Sequence, residues 1–314
     1  MRRSVVPSRN ATHLDRLTSN VDDLNDVDAL SRSRPPMVSV VIPVRNGMPW
    51  LEEQLCAVVG QRLTAEWELV VADNGSEDGT RACVQRWSQK APRIRFVEAA
   101  HHIGPGAARN AGVSASYGSL LVFCDADDVV QPDWLDHIVA ALADNDVVSG
   151  VYDFGATARG LEQAPIPAAT SQMGFLPFGL GANLAVHREA FQAVSGFREN
   201  FMVGEDIDLC WRLQLAGYRF AVEQTAVVRK REPVDEWSRL RKAWSYGTCG
   251  AVLYRHYRTD GMRPNLRAAA KSWLWLLLNV PRLFSRDIRR QWLRTIAVRT
   301  GRLAGSVTQH GFFP

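Results

Sequence analysis

The chain has 314 residues, of which 46% are hydrophobic and 22% charged, with 23 glycines and 15 prolines. These are globular proportions, and they exclude a mostly disordered, collagenous or fibrous protein. A chain of this length can bury enough surface to fold as one large domain, or one domain plus an appendage, without a disulfide or metal staple.

The formal net charge of +4 conceals an asymmetry, because residues 229–302 carry 18 Lys/Arg against 5 Asp/Glu and the remainder is acidic. An acidic body suits a metal or polar site, and a basic C-terminal quarter suits something anionic. Cys56, Cys83, Cys124, Cys210 and Cys249 are scattered with no CxxC pair. That spacing argues against a disulfide framework or structural zinc and fits a reducing, cytosolic compartment.

In chain order, residues 1–36 are polar, cluster Asp22, Asp23, Asp26 and Asp28, and close on Pro35-Pro36. They read as a disordered arm. Arg2 and Arg3 are not followed by an apolar stretch of signal-peptide length, so export is not indicated. From residue 37 to about 153, apolar runs alternate with helical segments. Strands are expected at 38–42, 67–72, 93–97, 119–124 and 147–153, and helices at 49–60, 78–90, 104–115 and 134–143. Residues 155–178, with three prolines and little periodicity, read as a long loop of the kind that acts as a lid or acceptor-binding segment. Next come a strand at 181–186, a helix at 205–216, a strand at 218–228 and basic helices from 234 onward.

This alternation predicts an α/β fold with a Rossmann-like, mainly parallel sheet flanked by helices, continued by a basic helical C-terminal extension. Ligands of such sheets sit outside the carboxyl ends of the strands. The polar residues fall there: Arg45 and Asn46 after the first strand, Asp73 and Asn74 after the second, and Asp125-Ala126-Asp127-Asp128 after the fourth.

Three carboxylates within four residues at a buried strand end repel one another unless a cation offsets them. Oxygen ligands select Mg²⁺ or Mn²⁺. One of Asp128 and Asp133 is also expected to cap the helix from Trp134. Asp73 suits a base N–H or a ribose hydroxyl, or simply an Asx-turn. Arg109 follows Gly104-Pro105-Gly106 and offers a bidentate fork for phosphate or base. That segment lacks the third glycine of a dinucleotide fingerprint, and no GxxxxGK[ST] loop is present. Glu205 and Asp206 open a helix whose dipole favours acids; projecting into a cleft, one of them could serve as a general base. His187 and His256 are isolated and read as structural.

Taken in order, VSVVIPVRN at 38–46, ELVVADNGSEDGT at 68–80, GPGAARNAG at 104–112, DADD at 125–128 and GEDIDLCWRL at 204–213 resemble the family 2 glycosyltransferases, inverting nucleotide-sugar enzymes of the GT-A fold. The resemblance covers residues 37 to about 230. It implies that Pro43, Arg45, Asn46, Asp73, Asn74, Arg109, Asp125 and Ala126 border the nucleotide sugar. It further implies that Asp125 and Asp127 form the DxD pair, with Asp127 the direct ligand of Mg²⁺ or Mn²⁺, and that Asp206, beside Glu205, is the catalytic base. Asn74 stands where the family often has an aspartate. No histidine follows the catalytic helix at 227–230, and the QxxRW motif of processive members is absent, so transfer of a single sugar is expected.

The expected function is transfer of one sugar from a uridine, guanosine or deoxythymidine diphosphate donor to a hydroxyl of a glycan or lipid-linked acceptor in cell-surface polysaccharide or glycolipid synthesis. The competing reading is a catalytically silent nucleotide-sugar-binding scaffold at the membrane surface. In the tail, Trp273, Trp275, Leu276, Leu277 and Leu278 lie among Arg267, Lys271, Arg282, Arg286, Arg289 and Arg290. They suit either a membrane-surface helix over residues 267–290 or aromatics packed on the core with arginines reaching into water. The apolar stretch 272–280 is far short of the ~20 residues a spanning helix needs, which places the protein in the cytoplasm or peripherally on the inner face of the plasma membrane. Nothing in the sequence resembles a nucleic-acid-binding module.

Overall fold

The computed structural model describes residues 37–154, 166–167, 173–231 and 235–314. The arm expected over 1–36 and most of the loop expected over 155–178 lie outside the described residues. So do residues 232–234, just beyond the boundary expected between a domain over 37–230 and an extension over 231–314.

The first half alternates as its apolar runs demand. β1 (Val38–Val44), β2 (Trp67–Asp73), β3 (Ile94–Glu98) and β4 (Leu120–Cys124) are separated by α1 (Leu51–Val59), α2 (Thr80–Lys90) and α3 (Pro105–Ser114). β1 pairs in parallel with both β2 and β4, and β2 with β3. Val38, Val40, Ile42 and Val44 enter one core cluster and Val41 the other. The period of two thus explains why a continuous β-branched run is needed. α1, α2 and α4 (Trp134–Ala141) cover the first face. α3, α5 (Arg188–Ala193), α6 (Glu205–Leu215) and α7 (Glu236–Tyr257) contribute to the second.

The sheet then departs from the mainly parallel expectation. β5 (Val129–Val130), β6 (Val147–Asp153), β7 (Ile166–Pro167), β8 (Asn183–His187) and β9 (Phe220–Arg229) extend it to the order β3-β2-β1-β4-β8-β6-β9-β5, with β7 on β6. β8 inserts antiparallel between β4 and β6, whereas β6 and β9 are parallel. A fully buried strand carries no sequence mark of its direction, and β8 is antiparallel to both of its neighbours. α8 (Leu266–Leu278) and α9 (Arg286–Thr308) complete the chain, joined through a 3₁₀ turn at Val280–Arg282. Among the described residues, no helix is long and apolar enough to cross a membrane.

α3 lies very close to the sheet because it is built from small residues. A Cβ added to Gly112 would fall 2.5 Å from Cγ1 of Val41. Gly112→Val is therefore expected to lower stability by about 1–3 kcal/mol through overpacking, measured as a reduced midpoint in chemical denaturation.

Candidate active site

The carboxyl ends of β1, β2 and β4 open onto one rim, and the β5–β9 pairing completes it. Antiparallel register sets Val129 opposite Arg229, which brings Lys230 alongside Asp128. The Lys230 Nζ donates to Asp128 Oδ2 (2.6 Å) and to Asp125 Oδ2 (3.2 Å). The Arg231 amide donates to the other Asp128 oxygen at 3.1 Å. The loop itself is held from α1, where buried Gln54 donates to the Asp125 carbonyl (2.9 Å) and accepts from the Val130 amide (3.1 Å).

Arg109, buried on α3, joins this cluster to α6. Its guanidinium donates to Asp125 Oδ1 at 2.8 Å and to Glu205 Oε1 at 2.7 Å. A Cβ on Gly181 would sit 2.7 Å from the Arg109 Cζ, so only glycine lets the loop before β8 close on it. The Gly181 amide then donates to Asp206 Oδ2 at 2.8 Å. α6 begins after Gly204, whose φ of 84° is left-handed; a Cβ there would meet Cys249 Sγ at 2.2 Å. Asp208, one turn in, is saturated by Arg198, Arg212 and the Tyr257 hydroxyl. Asp208 is therefore structural and anchors α6 to α7.

The electrostatics follow from five carboxylates (Asp125, Asp127, Asp128, Glu205 and Asp206) facing two cations, Arg109 and Lys230. Burial alone would push Asp125 up, but Lys230 and Arg109 outweigh it and hold its carboxyl at about 2. Asp128 shares the same lysine; burial, with Asp125 and Asp127 adding repulsion, lifts it to about 6. Burial and then Asp206 raise Glu205 to about 7 against Arg109. Burial also raises Asp206, although the Gly181 amide and Arg109 oppose it. Asp127 still reaches solvent, but desolvation by the surrounding rim and then Asp125 raise it.

Ligand oxygens of Asp125, Asp127 and Asp128 all lie within 4.8 Å of one another. Asp125 and Asp128 are paired with side-chain cations, whereas Asp127 is exposed and makes no ion pair among the described residues. Hard oxygen donors, an excess of negative charge and one outward carboxylate fit a divalent cation that keeps positions for phosphate oxygens and water. The donor set does not distinguish Mg²⁺ from Mn²⁺.

A family model for glycosyl transferase family 2 matches residues 39–193, and one for glycosyl transferase family group 2 matches residues 120–300. The chain is a family 2 glycosyltransferase. It is 29% identical over 301 residues to a pre-mycofactocin glycosyltransferase of Mycobacterium tuberculosis, covering 87% of this chain and 59% of that protein. The chain thus spans about three-fifths of that relative's length. It is 26% identical over 268 residues to glycosyltransferase AglE of Haloferax volcanii, covering 81% and 86% of the two chains. Among solved structures, the mannosyltransferase PcManGT from Pyrobaculum calidifontis, in complex with GDP-Man and Mn²⁺, superposes with a TM-score of 0.63 at 22% identity. The match covers 86% of this chain and 88% of that one. The fold is GT-A, with a helical C-terminal extension.

In this glycosyltransferase the rim gathers Asp125, Asp127, Glu205 and Asp206, and the structure places the other residues singled out in the sequence around it. The Arg109 Nη atoms donate to Glu205 and Asp125, so in this structure its fork faces carboxylates. Asn74 is buried, and its side chain braces the loop above β3 through the Ala99 and His102 carbonyls and the Gly104 amide. Asp73 Oδ1 accepts from both the amide (3.1 Å) and the hydroxyl (2.5 Å) of Ser76, three residues on, which braces its own turn through one carboxylate oxygen. Asn46, at φ 52°, bonds the Ser76–Glu77 turn with its backbone and side chain. Pro43 is the penultimate residue of β1, Arg45 is exposed and Ala126 buried.

Neither candidate acid caps α4. Asp133 is its N-terminal flank but makes no side-chain cap bond, and Asp128 is turned to Lys230. Lys230, Gln54 and Gly181 were missed by sequence reasoning; a glutamine at a core-facing position of α1 and a lysine at a strand end were the signals available. Lys230→Met strips the cation from a fully buried carboxylate and is expected to cost about 3–5 kcal/mol. Adding Asp128→Asn should recover most of that loss, both read by urea denaturation.

Proposed function

We propose that the enzyme transfers a single sugar, with inversion, from a nucleotide diphosphate sugar to an acceptor hydroxyl, and that Asp206 is the general base. The observation that carries this reading is the Arg109 bridge between Asp125, two residues from outward Asp127, and Glu205, the neighbour of Asp206. The donor's nucleoside would lie along the ends of β1 and β2, between Pro43, Arg45 and the remaining Asp73 oxygen. A divalent cation on Asp127, bound also by the diphosphate, would neutralise charge on the leaving group.

The chain's own residues do the rest. Asp206, held by the Gly181 amide, takes the proton as the acceptor oxygen attacks the anomeric carbon and the bond to the diphosphate breaks. One displacement inverts the centre without a covalent sugar–enzyme intermediate. Arg109 keeps Glu205 from rotating into the acceptor's path. The acceptor reading is a glycan or lipid-linked hydroxyl at the inner face of the plasma membrane, in cell-surface glycan synthesis.

A thermal-shift screen of UDP, GDP and dTDP with their sugars, with and without Mn²⁺, should raise the melting temperature for one base in a metal-dependent way. With that donor, Asp206→Asn should lose about 10²–10⁴-fold in kcat while the nucleotide-induced shift persists. Proton NMR of the initial product should show the opposite anomer to the donor; retention would overturn the single displacement. Because burial lifts Asp206 above the ordinary aspartate range, the deprotonated base is lost on acidification through that raised value. The acid limb of kcat/KM should therefore lie above pH 4, the region of an unperturbed aspartate.

A further inference from the structure

The end of the C-terminal helical layer carries an apolar knob that the transfer site does not use. α8 and α9 form a hairpin whose inner face is fixed: Ala269 and Leu276 are buried, Trp292 Nε1 donates to the Leu276 carbonyl (2.9 Å), and Arg299 donates to the Ser272 hydroxyl (2.6 Å). The opposite face and the turn point to water. Leu277 is 70% exposed, Leu278 65%, Leu274 56% and Phe284 86%. On α8, Arg267, Lys271, Leu274 and Leu278 share one stripe, running from charge at the base to hydrocarbon at the tip. Arg282, Arg286, Arg289 and Arg290 are exposed around the turn. Between residues 267 and 290 six Lys/Arg stand against the single acid Asp287. Single exposed apolar residues are ordinary, but a contiguous set ringed by one sign of charge marks a contact surface.

α7 meets the wall bearing Glu205 and Asp206 through its second half, where Cys249 and Leu253 pack by Gly204 and the Tyr257 hydroxyl bonds Asp208. A Cβ on Gly247 of α7 would strike the Val298 carbonyl of α9 at 2.3 Å, and one on Gly305 would meet Ala251 at 2.8 Å. The two helices therefore run side by side in the same direction, with their N-terminal ends together beside the knob. α7 starts just beyond Lys230 and Arg231, and its Lys242 acts on the Asp127 carboxyl. At the same end, Trp237 is 78% exposed, and Trp237, Leu240, Trp244, Leu293 and Ile296 line an open groove of about 360 Å³.

We propose that this end docks on an anionic lipid bilayer, with Leu277, Leu278 and Phe284 among the acyl chains and the surrounding arginines on lipid phosphates. Apolar insertion and attraction to anionic headgroups are the two requirements of an interfacial helix, and the knob meets both. A second copy of the chain would set one cationic ring against another. A nucleic acid would engage the arginines and leave the leucines and Phe284 in water.

The test uses the full chain and vesicles of phosphatidylcholine alone or mixed equally with phosphatidylglycerol, read by flotation. No turnover is involved, so the result stands apart from the sugar-transfer reading. The protein should float with mixed vesicles, far less with neutral ones, and less as salt rises. Leu277→Ser/Leu278→Ser/Phe284→Ser should lower partitioning at least about tenfold with an unchanged melting temperature. Phe284→Ser alone, at the most exposed of these positions, should weaken it measurably should the triple variant not fold. Arg282→Glu/Arg286→Glu should remove the preference for phosphatidylglycerol. Absence of binding to mixed vesicles, wild-type binding by the apolar variants, or self-association or DNA binding in place of vesicle binding would overturn the proposal.

Discussion

Arg109 and Lys230 allow the sheet to deliver several carboxylates to one rim. Asp125 sits between them, and through it the loop after β4 is tied to α6 on one side and to the end of β9 on the other. Removing charges from water is costly, and a buried carboxylate is tolerated only when its partners are in place. Here the partners satisfy Asp125 and Asp128, leave Asp127 outward and hold Glu205 behind Asp206. The acids are thereby sorted into supports and working groups by which of them a cation reaches.

The rest of the fold serves that sorting. Small residues on α3 let Arg109 cross beneath the rim, and Gly181 lets the loop before β8 close over it while turning an amide toward Asp206. Asp208, held by two arginines and Tyr257, fixes the first turn of α6 against α7. Since α7 packs on α9, the helical layer that carries the basic surface is mechanically continuous with the wall bearing the proposed base.

What could be read from the amino acids was local. β1, β2 and β4 are mostly apolar, almost wholly buried runs, and their polar termini marked the rim because loops at strand ends bind ligands. The Asp125–Asp128 cluster and the acids opening α6 stood out for the same reason. The role of Lys230 was not legible because it arises from the β5–β9 register, a pairing across about a hundred residues that a two-residue strand does not announce. Arg109 shows the converse limit. Its position beneath a glycine-rich turn was legible, but whether its fork meets phosphate or carboxylate depends on α6 arriving above it. Asn74 and Asp73, adjacent in sequence, part company because one side chain turns to loop carbonyls and the other to its own turn. The direction of β8 was hidden because burial on both faces looks the same in parallel and antiparallel strands.

The central claim is that Asp127 offers a cation and a nucleoside diphosphate a shared site. Calorimetric titration of Mn²⁺ into the protein, alone and saturated with the preferred nucleoside diphosphate, tests it most directly. The account predicts that each ligand tightens the other in the wild type, and that Asp127→Asn abolishes this coupling while the folded protein keeps its melting temperature. Mn²⁺ binding that is indifferent to the nucleotide, or unchanged by Asp127→Asn, would contradict it.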